Sequence, residues 1–322
     1  MRSTNAPDRR GLSTEEPAAT GAHRSIPWLA LALFALLAGC RSSVGTDAGP
    51  SDGSLSDAAP TQPQGSLRIA TWNIETFPRA LDTVPAVART IEAERLDVIA
   101  VQEITDTDAF FALAGELGTH DALIAGGPSQ FLRVGMLVRR DRVEATRVQT
   151  LFLPDGYSFP RPVLAANLSV RPGSGVDSFD LQVLVVHLKA NIDAESQDRR
   201  ASAMLELDQW ITRQLADPDA EHDIVIAGDF NDSLIDEPAD NVFSPFLDQP
   251  DVYSLPTLPL ETAGGRTFLP FFAFFDHFVM TVDALDEFGS GSVEVRHLEE
   301  EQSEYREAVS DHLPVIATFT PR

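Results

Sequence analysis

Between residues 67 and 320 the chain returns repeatedly to short apolar runs of strand length: LRIATWNI (67–74), LDVIAVQEI (96–104), RVGMLVR (133–139), VLAANLSV (163–170), DLQVLVVHLK (180–189), DIVIAGDF (223–230), FFDHFVM (274–280) and PVIATFT (314–320). Their β-branched and apolar content suits the buried faces of sheets. Apolar residues recur at helical spacing over 83–95, 107–117 and 195–215, in the last through Met204, Leu207, Ile211 and Leu215. Strand outweighs helix and the two alternate unevenly, so the expected fold class is α+β, or a layered α/β domain. At 322 residues and 43% hydrophobic content the chain has material for one large core and a tail.

The tail is expected at the front. Residues 26–38, IPWLALALFALLA, form an apolar run behind Arg2, Arg9, Arg10 and Arg24 that is short for a membrane span and reads as a secretion signal. It ends in LAGC, whose Cys40 is the only cysteine of the chain. This resembles the lipobox of bacterial lipoproteins, which implies cleavage before Cys40 and lipidation of its thiol. Residues 41–65 have the Gly, Ser, Asp and Pro content of a disordered tether, leaving 66–322 as the folded domain. The expectation is an exported protein, lipid-anchored to a bacterial membrane, monomeric and without an internal disulfide. Without the four Arg and three acids of residues 1–40, the 24 basic and 49 acidic residues become 20 and 46. So anionic a surface argues against tight, non-specific binding of duplex nucleic acid over a broad basic face.

Polar residues stand at the ends of the apolar runs: Asn73 after IATW, Glu103 after VIAVQ, His187 after VLVV, Asp229 and Asn231 around the end of VIAG, Asp276 before HFVM, and Asp311 with His312 before LPVIATF. A carboxylate buried at a strand end costs several kcal/mol, of order 3 to 5, unless it is paired or metal-bound. Several together imply a shared neutralising partner, and a divalent cation is the most economical one. Asn, Asp and Glu supply hard oxygen ligands, and there is neither a cysteine cluster nor an HExxH pair, so Mg²⁺ or Mn²⁺ is favoured over structural zinc. An incomplete oxygen cage with histidines beside it suits phosphoryl chemistry.

Taken in order, IATWNIETF, DVIAVQEI, VVHLKA, IAGDFND, FFDHFVM and SDHLPVIA resemble the motifs of the endonuclease/exonuclease/phosphatase superfamily, the group similar to DNase I. The resemblance implies a four-layer α/β/β/α sandwich, two mixed sheets face to face with helices outside and a site at one edge. By motif position it implies metal-site roles for Asn73, Glu103 (the principal ligand) and Asp311. It implies that His312 contacts the scissile phosphate, oriented by Asp276. Asp229 would position or deprotonate water, Asn231 would hold phosphate or water, and His187 would serve near the leaving group. Arg161, in SFPRPVLAANL, sits where many members place a phosphate-binding arginine, and Lys189 either binds phosphate or caps its strand.

Other residues have plainer expectations. Asp232 reads as a loop or cap residue, and His277 alternates to the far face of its strand, in a structural or solvent-facing position. His120, His222 and His297 lie outside the motifs. The phenylalanine-rich RTFLPFFAFFDHF (266–278) is expected to pack a core, with a stacking platform for bases or a finger for lipid as alternatives. FFDHFVM stands where inositol polyphosphate phosphatases show WCDR, and HLKA where neutral sphingomyelinases show HTQ; HLK with GDFND looks most like bacterial secreted or surface nucleases. The expected activity is therefore a surface-tethered, metal-dependent phosphodiester hydrolase acting on extracellular nucleic acid at modest affinity. A sphingomyelinase-type lipid phosphodiesterase and a catalytically silent binding protein are the alternatives.

Overall fold

A computed structural model describes residues 65–127, 131–153, 155–176 and 179–320. The expected signal, Cys40 and tether lie outside the described residues. In chain order the strands are β1 (Leu67–Phe77), β2 (Val98–Ile104), β3 (His120–Ile124), β4 (Arg133–Arg139), β5 (Val143–Leu151), β6 (Val163–Val170), β7 (Asp180–His187), β8 (Ile224–Asp229), β9 (Tyr253–Ser254), β10 (Asp276–Thr281), β11 (Ser292–Val295) and β12 (Val315–Phe319). They form two six-stranded sheets, ordered β11-β12-β1-β2-β4-β3 and β5-β6-β7-β8-β10-β9. Both are mixed: β1 runs parallel to β2 and antiparallel to β12, while β7 runs parallel to β8, which is antiparallel to β10.

Three longer helices cover the outer faces: α1 (Thr83–Ala93), α2 (Thr107–Leu117) and α3 (Ala194–Leu215). Asp106 begins α2 by accepting the backbone N–H groups of Asp108 and Ala109, and Gly118 ends it in the left-handed region at φ 65°. The apolar stripe of α3 expected from its spacing is the one it buries, through Met204, Leu207 and Ile211, against Leu184, Val186, Ile224 and Ile226. Each such side chain contributes about 1.5–3 kcal/mol of burial. On the other side α1 and α2 set Val87, Ile91, Phe110 and Leu113 against Ala70, Trp72, Ile99 and Val101. Between the sheets lies a third core, including Leu67, Ile69, Val98, Met136, Val183, Val225, Phe278 and Val315. Three cores separate four layers, the α/β/β/α sandwich expected from the motifs. Among the described residues no helix is long and apolar enough to cross a membrane.

Gly228 is a position where close packing demands glycine. A Cβ there would stand 2.1 Å from the Val186 carbonyl oxygen, so β7 and β8 keep their parallel register only because this residue has no side chain.

Candidate active site

Strand alternation assembles the site. Leu67 and Ile69 of β1 point between the sheets while Ala70, Trp72 and Ile74 point to the helices. Asn73 shares the parity of the first set, so it faces the inter-sheet space. The same holds for His187 after Val183 and Val185, for Asp229 after Val225 and Ala227, and for Asp276 before Phe278 and Met280. Register then places His187 beside Asp229 and Asp229 beside Asp276. All four are buried where the inter-sheet core ends. The Asn73 Nδ2 donates to Asp229 Oδ2 at 2.9 Å, a hydrogen bond from one sheet to the other.

Glu103 breaks the alternation. Pairing of β2 shifts register between Val101 and Ile104, and Glu103 has φ 66°, a left-handed conformation that a non-glycine residue adopts at a cost. The irregularity brings Glu103 Oε1 to 3.8 Å from His187 Nε2, and Oε2 accepts the Thr76 N–H at 2.9 Å. A matching irregularity in β1 puts Glu75 and Thr76 at positive φ, and Glu75 Oε2 accepts the Asp311 N–H at 2.9 Å.

His312 lies in the segment leading into β12. Its Nδ1 meets Asp276 Oδ2 at 2.8 Å, leaving Nε2 facing Asp229 Oδ2 at 3.8 Å and Asp311 Oδ1 at 4.0 Å. Its backbone is held twice: the Ser310 hydroxyl accepts the His312 N–H, and the Tyr305 hydroxyl donates to the His312 carbonyl at 2.6 Å. The Ser310 hydroxyl itself donates to the Asn73 carbonyl at 2.6 Å, tying this segment to β1.

The protonation pattern divides the groups into donors and acceptors. Burial alone lowers the His312 pKa, but the Asp276 and Asp229 carboxylates outweigh it and raise it to about 10. His187 is driven well below the ordinary value, first by burial and then by Arg161 and His312, so it is neutral. Burial raises Asp229 to about 7, assisted by Asp276 and opposed by His312 and Asn73. A protonated Nε2 and a carboxylate poised near neutrality thus face each other, the arrangement needed to hold a phosphate oxygen and to draw a proton from water.

Further carboxylates that could contribute oxygen ligands stand at Glu75, Glu103 and Asp311. Burial raises Glu75 to about 7, with the Asp311 charge adding and Arg79 opposing, so local cations do not fully balance these carboxylates. Their oxygen-only donor set fits a hard divalent ion. Asp229, Asp276 and His312 also offer ligand atoms within 4.8 Å of one another. A cation there would compete with the proton that joins His312 to Asp276.

Two clefts flank the centre, divided by the strap 188–191. The Leu188 carbonyl accepts from Arg161 at 3.0 Å and from Asn231 Nδ2 at 3.3 Å. On one side Arg161, Lys189 and Arg199 line a cleft of about 350 Å³. Lys189 Nζ donates to the Ala190 carbonyl within the strap. On the other side is an aromatic-walled cleft of about 530 Å³. Arg200 of α3 ties down the strap by donating to the carbonyls of Lys189 and Asn191, and Asp232 Oδ2 holds Arg200 at 2.6 Å. Asp232 thus lies in a loop, as expected, and is also half of a buried ion pair. His277 is structural, fully buried between Phe230, Phe243 and Phe274, with Nε2 on the Asp232 carbonyl at 3.1 Å.

The profile of the Endonuclease/Exonuclease/phosphatase family matches residues 70–312. The chain belongs to this family. No curated protein matches it in sequence. Solved structures match it in fold. The chain is 14% identical to D. rerio TDP2 complexed with a single-strand DNA product, with 79% of this chain and 98% of that one covered and a TM-score of 0.56. An endonuclease/exonuclease/phosphatase from Bacteroides vulgatus is 18% identical, with 80% and 99% covered at 0.57. A Bacteroides thetaiotaomicron mannosyl-6-phosphatase is 15% identical, with 78% and 98% covered at 0.54. At these identities the likeness establishes the fold, and with the family it makes the chain a hydrolase of phosphoester bonds.

The structure brings together Asn73, Glu103, His187, Asp229, Asn231, Asp276, Asp311 and His312, with Arg161 and Lys189 at the edge. Sequence reasoning passed over Glu75, Ser310 and the Arg200–Asp232 clamp. Glu75 stands two positions beyond Asn73 and shares its parity, so alternation alone would turn it to the same face, but its contact with Asp311 lies within an irregular stretch of β1 whose geometry alternation does not give.

Proposed function

We propose that the protein is a phosphodiesterase dependent on Mg²⁺ or Mn²⁺ that acts on nucleic acid outside the cytoplasm, tethered to a bacterial membrane through Cys40. The observation that carries the reaction class is the Asp276–His312–Asp229 arrangement. Asp276 fixes Nδ1 so that the protonated Nε2 can donate to a non-bridging phosphate oxygen. Asp229, held by Asn73 and by the Asn231 N–H, takes a proton from the attacking water. Neutral His187 stands ready at the leaving-group side, and Arg161 and Lys189 supply positive charge for a phosphate. Glu103, Asp311, Glu75 and Asn73 would hold the cation, which supplies Lewis-acid polarisation of phosphate oxygens. The fold's likeness to a DNA-bound TDP2 and the basic cleft beside the centre support nucleic acid as the substrate class.

The test incubates purified residues 41–322 with plasmid DNA, RNA, sphingomyelin, mannose 6-phosphate and bis(p-nitrophenyl) phosphate, each with Mg²⁺, Mn²⁺ or EDTA. Cleavage of nucleic acid and of the model diester that EDTA abolishes is the expected result. Turnover of the sugar monoester or the lipid alone would replace the substrate class. No metal-dependent cleavage of any of them would sink the enzyme reading.

A further inference from the structure

The phenylalanine-rich segment does not pack only into a core. Phe274 is buried, but Phe271 is 80% exposed and Phe272 70%. Large aromatic side chains left in water beside a catalytic centre have a use that burial does not supply. The segment is also firmly held. Phe268 pairs through its backbone with Ala273 and His312, the Leu269 N–H donates to the Asp311 carbonyl, and the Thr267 hydroxyl accepts the N–H groups of Phe275 and Asp276. The rings form a continuous wall. Phe268 stacks on Phe275 at 5.4 Å, touches Phe271 at 5.7 Å and abuts the His312 ring at 4.8 Å.

The same cleft is lined by Ile192, which follows the strap and is fully exposed, and by Asn231. The result is a slot with aromatic and aliphatic lining that opens onto the phosphate-handling residues. The polar residues Asn191 and Asp193 also line it, Asp193 capping α3. We propose that this slot is a substrate subsite for an unpaired nucleobase, the base of a nucleotide esterified to the scissile phosphate. The inference rests on the reading of the centre as a phosphoester hydrolase. Flat π-faces and polar lining residues fit a planar heterocycle with hydrogen-bonding edges better than an alkyl chain, which has no use for either. The basic cleft beyond the strap takes the neighbouring phosphate, so base and backbone lie on opposite sides of residues 188–191. A paired base, stacked on both faces, cannot enter the slot, so the subsite selects single-stranded or unpaired nucleotides.

The test reads binding without turnover. Thymidine 5′-monophosphate, ethyl phosphate and hexyl phosphate are titrated in EDTA into the wild-type chain, Phe271→Ala and Phe271→Trp. The nucleotide should bind the wild type about tenfold more tightly than ethyl phosphate, within the range that base–aromatic stacking supports. Phe271→Ala should erase that ratio and Phe271→Trp should keep it, with an unaltered melting temperature because the ring is exposed. Hexyl phosphate binding as tightly as the nucleotide would overturn the assignment in favour of an alkyl pocket. A ratio indifferent to Phe271→Ala, or no preference for the nucleotide in the wild type, would also overturn it. Because EDTA removes metal-dependent chemistry, the subsite stands or falls here independently of whether cleavage is found.

Discussion

His312 illustrates how single residues carry this site. Its carbonyl, its N–H and its Nδ1 are each engaged by a different partner, so only Nε2 is left to meet substrate. His312→Ala should lower kcat by at least about a thousandfold, the scale of a lost charge-stabilising donor, with little change in melting temperature. A rate near wild type on a good substrate would remove His312 from the chemistry. His277 tells the opposite story, a neighbour of Asp276 with a purely structural task. Burial lowers its pKa to about 4, the Asp232 carbonyl opposing. In the unfolded chain it takes a proton near pH 6.5, in the folded chain only near 4, so stability is full above 6.5 and falls as pH drops toward 4. Between pH 7 and pH 5 this group should account for about 2 kcal/mol of lost stability. Urea unfolding of wild type and His277→Gln at both pH values reads it. Equal pH slopes in the two proteins would contradict the assignment. The parity of Asp276 and His277 was legible in the sequence, because adjacent residues of a strand must face opposite ways. The burial of His277 among Phe230, Phe243 and Phe274 was not, since those rings arrive from distant segments.

At the scale of elements, legibility follows regularity. The long runs that became β1, β2, β7, β8 and β10 announce themselves because both their faces are buried. β5 does not: most of VEATRVQTL is exposed at a sheet edge, and its Glu, Thr, Arg and Gln resemble a loop. Likewise the contact of Glu75 with Asp311 was hidden because it depends on a bulge, and bulges interrupt the geometry by which strands are read. Two elements invite direct tests. Gly228→Ala would force a Cβ onto the Val186 carbonyl and should cost about 2–3 kcal/mol, lowering the urea midpoint. An unchanged midpoint would mean that β7 and β8 can part without penalty. Arg200→Met keeps the aliphatic stem but releases the strap carbonyls, and should raise KM for an oligonucleotide more than it lowers kcat. A change in kcat alone would show that the clamp serves the catalytic groups instead.

For the molecule as a whole, charge and topology set the terms. The formal net charge of −25 makes the protein repel its proposed polyanionic substrate at a distance, while Arg161, Lys189 and Arg199 attract it locally. Salt screens the long-range part first, since the Debye length is about 10 Å at 0.1 M. KM for a DNA oligonucleotide should therefore fall as NaCl rises from 10 to 100 mM, and a steady rise would mean that the local arginines govern the encounter. Topology has a different effect. Residues 143–281 supply one entire sheet, whereas the other is built from strands on both sides of that segment, with β12 zipped antiparallel to β1. The histidine proposed to touch phosphate comes just before β12, and its backbone is fastened to β1 through Ser310. A chain still being synthesised thus has every carboxylate of the other motifs in hand and no working centre. Its last core strand completes the proposed centre, so the hydrolase has no assembled site until β12 pairs with β1.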